Sequence, residues 1–157
     1  MKIDNNLDLV LERELDITPE QVFKGYTNPE LLRQWFCPKP WSVAEAKIDL
    51  KPGGQFLTIM QSPEGDKFPN EGCFLEIIPN KKLVWTNLLL SEFRPAPAID
   101  LMVTCTILLE ACNGKTFYKA IASHRNEEER KKHEAMGFQQ GWGMAADQLV
   151  QLMKSQQ

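Results

Sequence analysis

Histidine is scarce in this sequence, paired cysteines are missing and no long apolar run occurs. Only His124 and His133 supply imidazoles, and there is no H-E-x-x-H, so a catalytic metal site is not expected. The cysteines Cys37, Cys73, Cys105 and Cys112 form no C-x-x-C pair, which removes zinc-knuckle and thioredoxin-like readings. A chain of 157 residues buries enough core to stand without disulfides, so free thiols are expected. Cys105 reads as core, and Cys37, beside a helix end, is the one candidate for a reactive thiol. No stretch approaches 18 apolar residues, so no membrane span is expected. The first sixteen residues carry neither an apolar h-region nor an Ala-x-Ala site, so no secretion signal and a cytoplasmic location are expected. The glycines of PGG at 52–54 are not followed by G-K-[ST] and read as a turn, not a phosphate loop. Eighteen basic against 21 acidic residues leave a net charge of −3, which removes the broad positive field of a nucleic-acid binder. No cofactor motif is present.

What is present is an ordinary folded composition, 43% hydrophobic and 25% charged, of a length that suits one domain over residues 1–157. Residues 8–17 alternate, with Leu9, Leu11, Arg13 and Leu15 on one side, and predict a half-buried strand. Thr18-Pro19 and Asn28-Pro29 each combine a capping side chain with a proline in the first turn, so two short helices follow. Residues 41–122 read as six strands joined by short turns: 41–50, 55–61, 70–79, 83–90, 99–110 and 116–122. Joins this short imply antiparallel neighbours. Asn126 is placed to cap EEERKKHEAM, whose charges predict a solvated helix face that includes His133. Gly137 interrupts it. The last helix carries Trp142, Ala145, Ala146, Leu149, Leu152 and Met153 on one stripe, long enough to lie across a sheet. Gly141 and Gly143 flank Trp142 and leave room for its ring beside backbone.

These elements predict an α+β chain: a curved, antiparallel seven-stranded sheet wrapped around a long C-terminal helix, with two short helices after the first strand. Such a sheet leaves an elongated, mostly apolar pocket between itself and the helix. The stretches TPEQVFKGYTNPELLRQWF, DLKPGGQF, MQSPEGDKFPNEGCFLEIIPNKKLVWT, the glycine turn before TFYKAIA, and GFQQGWGMAADQLVQLM resemble the helix-grip fold of the START and birch-pollen-allergen (SRPBCC) superfamily. Within it they are similar to the family of the C-terminal domain of the activator of Hsp90 ATPase. The resemblance covers residues 8–154 and implies the fold. It implies no catalytic residue, because the superfamily holds carriers, cyclases, hydrolases and co-chaperone domains.

Candidate cavity residues are Trp35, Phe56, Glu71, Phe74, Trp85, Phe117, His124 and Trp142, with Trp85 and Trp142 leading. Buried indoles need hydrogen-bond partners, so some should reach polar groups or the pocket mouth. The plainer reading is that most of the aromatics fill core. His124, after a strand and before a helix, is a candidate for a cavity mouth. Glu45 and Glu76 sit in strands where a solvated outer face is the simplest reading. Three functions remain open: a binding protein for a small hydrophobic or aromatic ligand, a co-chaperone-like protein-interaction module, and a cyclase- or hydrolase-like enzyme. Partners are then a small ligand or a chaperone or other protein, and the assembly a monomer or homodimer.

Overall fold

The computed structural model describes residues 1–156. β1 (Asp8–Leu15) buries Leu9, Leu11 and Leu15 and runs into α1 (Pro19–Thr27) and α2 (Pro29–Leu32). Both caps form as expected. Thr18 Oγ1 accepts from Gln21 N while Gln21 Oε1 accepts from Thr18 N, a reciprocal box. Asn28 Oδ1 accepts from Glu30 N and Leu31 N. Then come β2 (Ser42–Ile48), β3 (Gln55–Gln61), β4 (Lys67–Ile78), β5 (Lys82–Thr86), a short ribbon of β6 (Leu89–Leu90) and β7 (Arg94–Pro95), β8 (Val103–Cys112) and β9 (Lys115–His124). α3 (Glu127–Ala135) and α4 (Phe138–Ser155) close the chain.

The seven long strands form one antiparallel sheet in the order β1-β9-β8-β5-β4-β3-β2. Bulges at Val43/Glu45 and Phe74/Glu76 bend it. Gly72 marks a close approach: a Cβ there would lie 1.9 Å from Thr86 O, so no larger residue fits without moving the strand. α4 buries Phe138, Ala145, Ala146, Leu149 and Met153 against the core of the sheet and α1. Gly25 of α1 lets the two helices meet, since a Cβ there would stand 2.5 Å from Leu149 Cδ1. This is the sheet wrapped around a C-terminal helix that the patterning implied, and the helix-grip fold that the resemblance implied.

Three boundaries differ from expectation. β4 starts at Lys67, inside the segment read as a polar loop. Pro69 is tolerated because β5 joins β4 only from Cys73 onward, leaving one side of that stretch unpaired within the sheet. The strand expected at 83–90 stops at Thr86, whose Oγ1 accepts from Leu88 N and turns the chain out. The strand expected from residue 99 starts at Val103, where the Asn87 side chain takes the place of a strand partner, bonding Leu101 O and Val103 N at 2.9 and 2.8 Å. Residues 99–101 are thereby released to the rim of the cavity described next.

Candidate functional site

Between α4 and the sheet lies a cavity of two adjoining lobes that share Phe36, Met60, His133, Met136 and Trp142. The inner lobe, about 220 Å³, is lined by Tyr26, Trp35, Cys37, Tyr118, Phe138 and Ala145 among others. The outer lobe, about 530 Å³, is walled by Phe56, Thr58, Trp85, Cys105, Leu101 and Val103 and rimmed by Phe68, Glu71 and Asp100. Neither lobe is lined by a lysine or an arginine among the described residues.

Each wall has a local cause. α1 places Tyr26 inward on the stripe that also buries Val22. The segment after α2 delivers Trp35, Phe36 and Cys37, and one side chain of α4 holds it there. Gln148 donates to Trp35 O at 3.0 Å and Cys37 O at 2.8 Å and accepts from Lys39 N at 3.0 Å. The Trp35 indole donates to Gly25 O at 2.9 Å, so its ring is fixed edge-on to Tyr26 at 4.7 Å. Alternation along β3 turns Phe56, Thr58 and Met60 toward the cavity, and Phe56 meets Trp85 edge-on at 5.3 Å. The result is a wall of interlocked aromatics whose χ angles are held by their neighbours. No described residue accepts from the indole N–H of Trp85 or of Trp142.

Two polar pairs interrupt the apolar lining. Tyr26 and Tyr118 place their hydroxyls 2.5 Å apart, and burial pushes both phenols above their ordinary pKa. His133 of α3 is only 9% exposed, and its Nδ1 lies 2.8 Å from His124 Nε2. His124 Nδ1 in turn lies 2.8 Å from Leu7 O. Burial, with His124 alongside, holds His133 at about 4. Beneath this pair, Arg125 clasps Glu129, with Nε 3.1 and 2.9 Å from the two carboxylate oxygens, and holds that carboxyl below its usual range.

Of the sequence-derived candidates, Trp35, Phe56, Trp85 and Trp142 line the cavity, and Glu71 stands at the outer rim with its carboxylate 2.9 Å from Gln55 Nε2. Phe74 is wholly buried behind Phe56, stacked at 4.9 Å, and lines neither lobe. His124 is one step removed, behind His133. Phe117 is corrected outright: it is 41% exposed on the outer face, because Thr116 and Tyr118 on either side of it turn inward. His133 is the opposite correction. The helix expected to be a wet surface buries His133 and Glu129, four residues apart and thus on one face. Gly143 makes room for the Arg13 guanidinium, which a Cβ would meet at 2.4 Å, and not for Trp142. Glu45 and Glu76 are surface ion pairs with Lys47 and Lys82. The thiols of Cys37, Cys73, Cys105 and Cys112 are all free. Burial raises Cys37 to about 11 and Cys105 to about 12, which removes the thiolate a reactive cysteine needs. Tyr26, Tyr118, His133 and Gln148 were missed as site residues.

The family model for activator of Hsp90 ATPase homolog 1-like proteins matches residues 16–154. The chain belongs to this family. A protein of Nitrosomonas europaea with a crystal structure is 48% identical, with 98% of each chain covered and a TM-score of 0.95. A protein of Arthrobacter aurescens solved by NMR is 23% identical over 99% of this chain and 90% of its own, with a TM-score of 0.83. The AHSA1-like protein of Aeromonas hydrophila is 15% identical over 96% and 94%, with a TM-score of 0.71. The last two carry the likeness of fold alone. No functionally curated protein sequence matches the chain. No described helix is long and apolar enough to cross a membrane.

Proposed function

We propose that the protein binds a small hydrophobic or aromatic ligand between α4 and the sheet, with residues 1–157 acting as one unit. The observation that carries this reading is the unfilled two-lobed space walled by Trp35, Phe36, Phe56, Trp85 and Trp142. The space is open to water near the exposed Met136, and an apolar molecule that displaces that water removes its own surface and that of the mainly apolar walls from solvent, at roughly 25 cal/mol per Å². Aromatic walls already locked by their neighbours lose little entropy when a ligand enters. The absence of lysine and arginine from the described lining, with Glu71 and Asp100 at the rim, argues against an anionic ligand. Native mass spectrometry of protein purified without hydrophobic additives is the test. A bound small molecule, lost in a Met60→Trp variant that fills the space where the lobes meet, is the expected result. Empty protein that also fails to take up any apolar probe would refute the reading.

A second reading, a co-chaperone-like interaction module, is favoured by one feature. Trp41 and Phe68 pack on each other at 5.5 Å yet are 40% and 48% exposed beside the outer lobe. Stimulation of Hsp90 ATP hydrolysis that disappears in a Trp41→Ala/Phe68→Ala variant would favour it over the ligand reading.

A further inference from the structure

The inner lobe holds more hydrogen-bonding capacity than the protein uses. Leu7 O can only accept, so His124 Nδ1 carries a proton. In a neutral His124 the other nitrogen, Nε2, is then an acceptor, and the proton of the 2.8 Å bond belongs to His133 Nδ1. A neutral His133 with its proton on Nδ1 presents a bare lone pair on Nε2. That atom has no partner among the described residues, and since Nδ1 is turned away to His124, the Nε2 edge is the one left to the cavity that His133 lines. Tyr26 and Tyr118 balance differently. Two hydroxyls bring two protons, and their single mutual bond uses one. No described residue accepts the other, so one O–H remains to donate into the lobe that both rings line.

We propose that the inner lobe is a recognition station for a neutral hydroxyl group, carried on an aromatic or apolar body that extends into the outer lobe between Phe56 and Trp85. The ligand O–H donates to His133 Nε2, and ligand oxygen accepts the spare proton of the Tyr26/Tyr118 pair. His124 acts on the ligand only through His133 and is a positioning residue. A hydrocarbon leaves both stations unpaired, an aryl ether leaves the histidine unpaired, and a carboxylate finds no cation among the described lining residues. This proposal rests on the ligand-binding reading above and adds the chemical class.

Calorimetric titration with naphthalene, 1-methoxynaphthalene and 1-naphthol at pH 7.5 tests it. The expected result is binding of all three, with 1-naphthol about tenfold tighter than naphthalene. His133→Asn keeps an amide toward His124 but removes the cavity-facing nitrogen. Tyr26→Phe/Tyr118→Phe removes both hydroxyls at constant shape, a change that leaves stability nearly unaltered. Each should reduce the ratio of 1-naphthol affinity to naphthalene affinity severalfold, and this ratio, read within one variant, cancels any general change in binding. Independently of any ligand, the ¹⁵N shifts of both imidazoles should report the Nδ1-protonated tautomer. Equal binding of the three probes, an unchanged preference in the variants, or an Nε2-protonated His133 overturns the proposal and leaves the cavity reading standing. Failure of all three probes to bind overturns the cavity reading, and the proposal with it.

Discussion

Stability should fall as the pH drops from 7 to 5, and His133 should account for the fall. In the folded protein its imidazole titrates near 4, against 6.5 in an open chain, because burial and the neighbouring His124 disfavour the cation. The unfolded chain therefore takes up a proton in this range that the folded one refuses. Stability is fully present above the unfolded pKa and is lost as pH falls toward the folded one. For a fully shielded ring the linkage between pH 7 and 5 amounts to about 2 kcal/mol. The ring borders a cavity that opens to water near Met136, so we take about half, roughly 1 kcal/mol. For a chain of this length that is a drop of about 2–4 °C in Tm. The groups around the ring are His124 on β9, Tyr118 on the same strand, Tyr26 on α1, and the Arg125–Glu129 pair. The Arg125-clasped carboxylate of Glu129 is held below its ordinary pKa and loses its stabilising effect only at lower pH, so it stays out of this window. Equilibrium urea unfolding at pH 7 and pH 5 measures the difference. The His133→Asn variant should be less stable at pH 7 but lose about 1 kcal/mol less between the two pH values. An identical pH dependence in the variant would refute the reasoning.

Two further outcomes follow from packing and chemistry. Leu149 is fully buried where α4 meets α1, so Leu149→Ala should cost about 2–5 kcal/mol in urea unfolding; a loss under 1 kcal/mol would mean that α4 does not grip the core. In native protein at pH 8, a disulfide reagent should modify Cys112 quickly and Cys37 slowly, because only Cys112 is exposed and burial keeps the Cys37 thiol protonated. Comparable rates at the two would contradict the cavity geometry around Cys37.

How much of this was legible depends on whether the signal was local. Thr18-Pro19 and Asn28-Pro29 name their own helix starts, since a cap and its amides lie within three residues. The Ala145-Ala146-Leu149-Met153 stripe names a buried face, and the short turns name antiparallel pairing. Of the rings named from the sequence, Trp35, Phe56, Trp85 and Trp142 stand at the cavity, Phe74 lies behind it and Phe117 is outside, so ring size alone does not place a side chain. The polar machinery was hidden for the opposite reason. Tyr26 and Tyr118 are 92 positions apart and become a pair only when α1 lies over β9. His133 was masked by charged neighbours: a helix rich in Glu, Arg and Lys reads as solvated, although Glu129 and His133 share one face and Asn126 sets its phase. One signal was available and unused. Phe117 shares its strand parity with Lys119, and Tyr118 with Ala120 and Ala122, so period-2 alternation alone places Phe117 outside.

The proposed function requires that a small apolar molecule enter the space between α4 and the sheet. The most direct measurement follows the indole N–H signals of the protein's four tryptophans by ¹⁵N NMR during titration with 1-naphthol. Trp35, Trp85 and Trp142 should shift together and saturate while Trp41 stays in place. A titration that moves Trp41 alone, or leaves all of them unmoved, would contradict it.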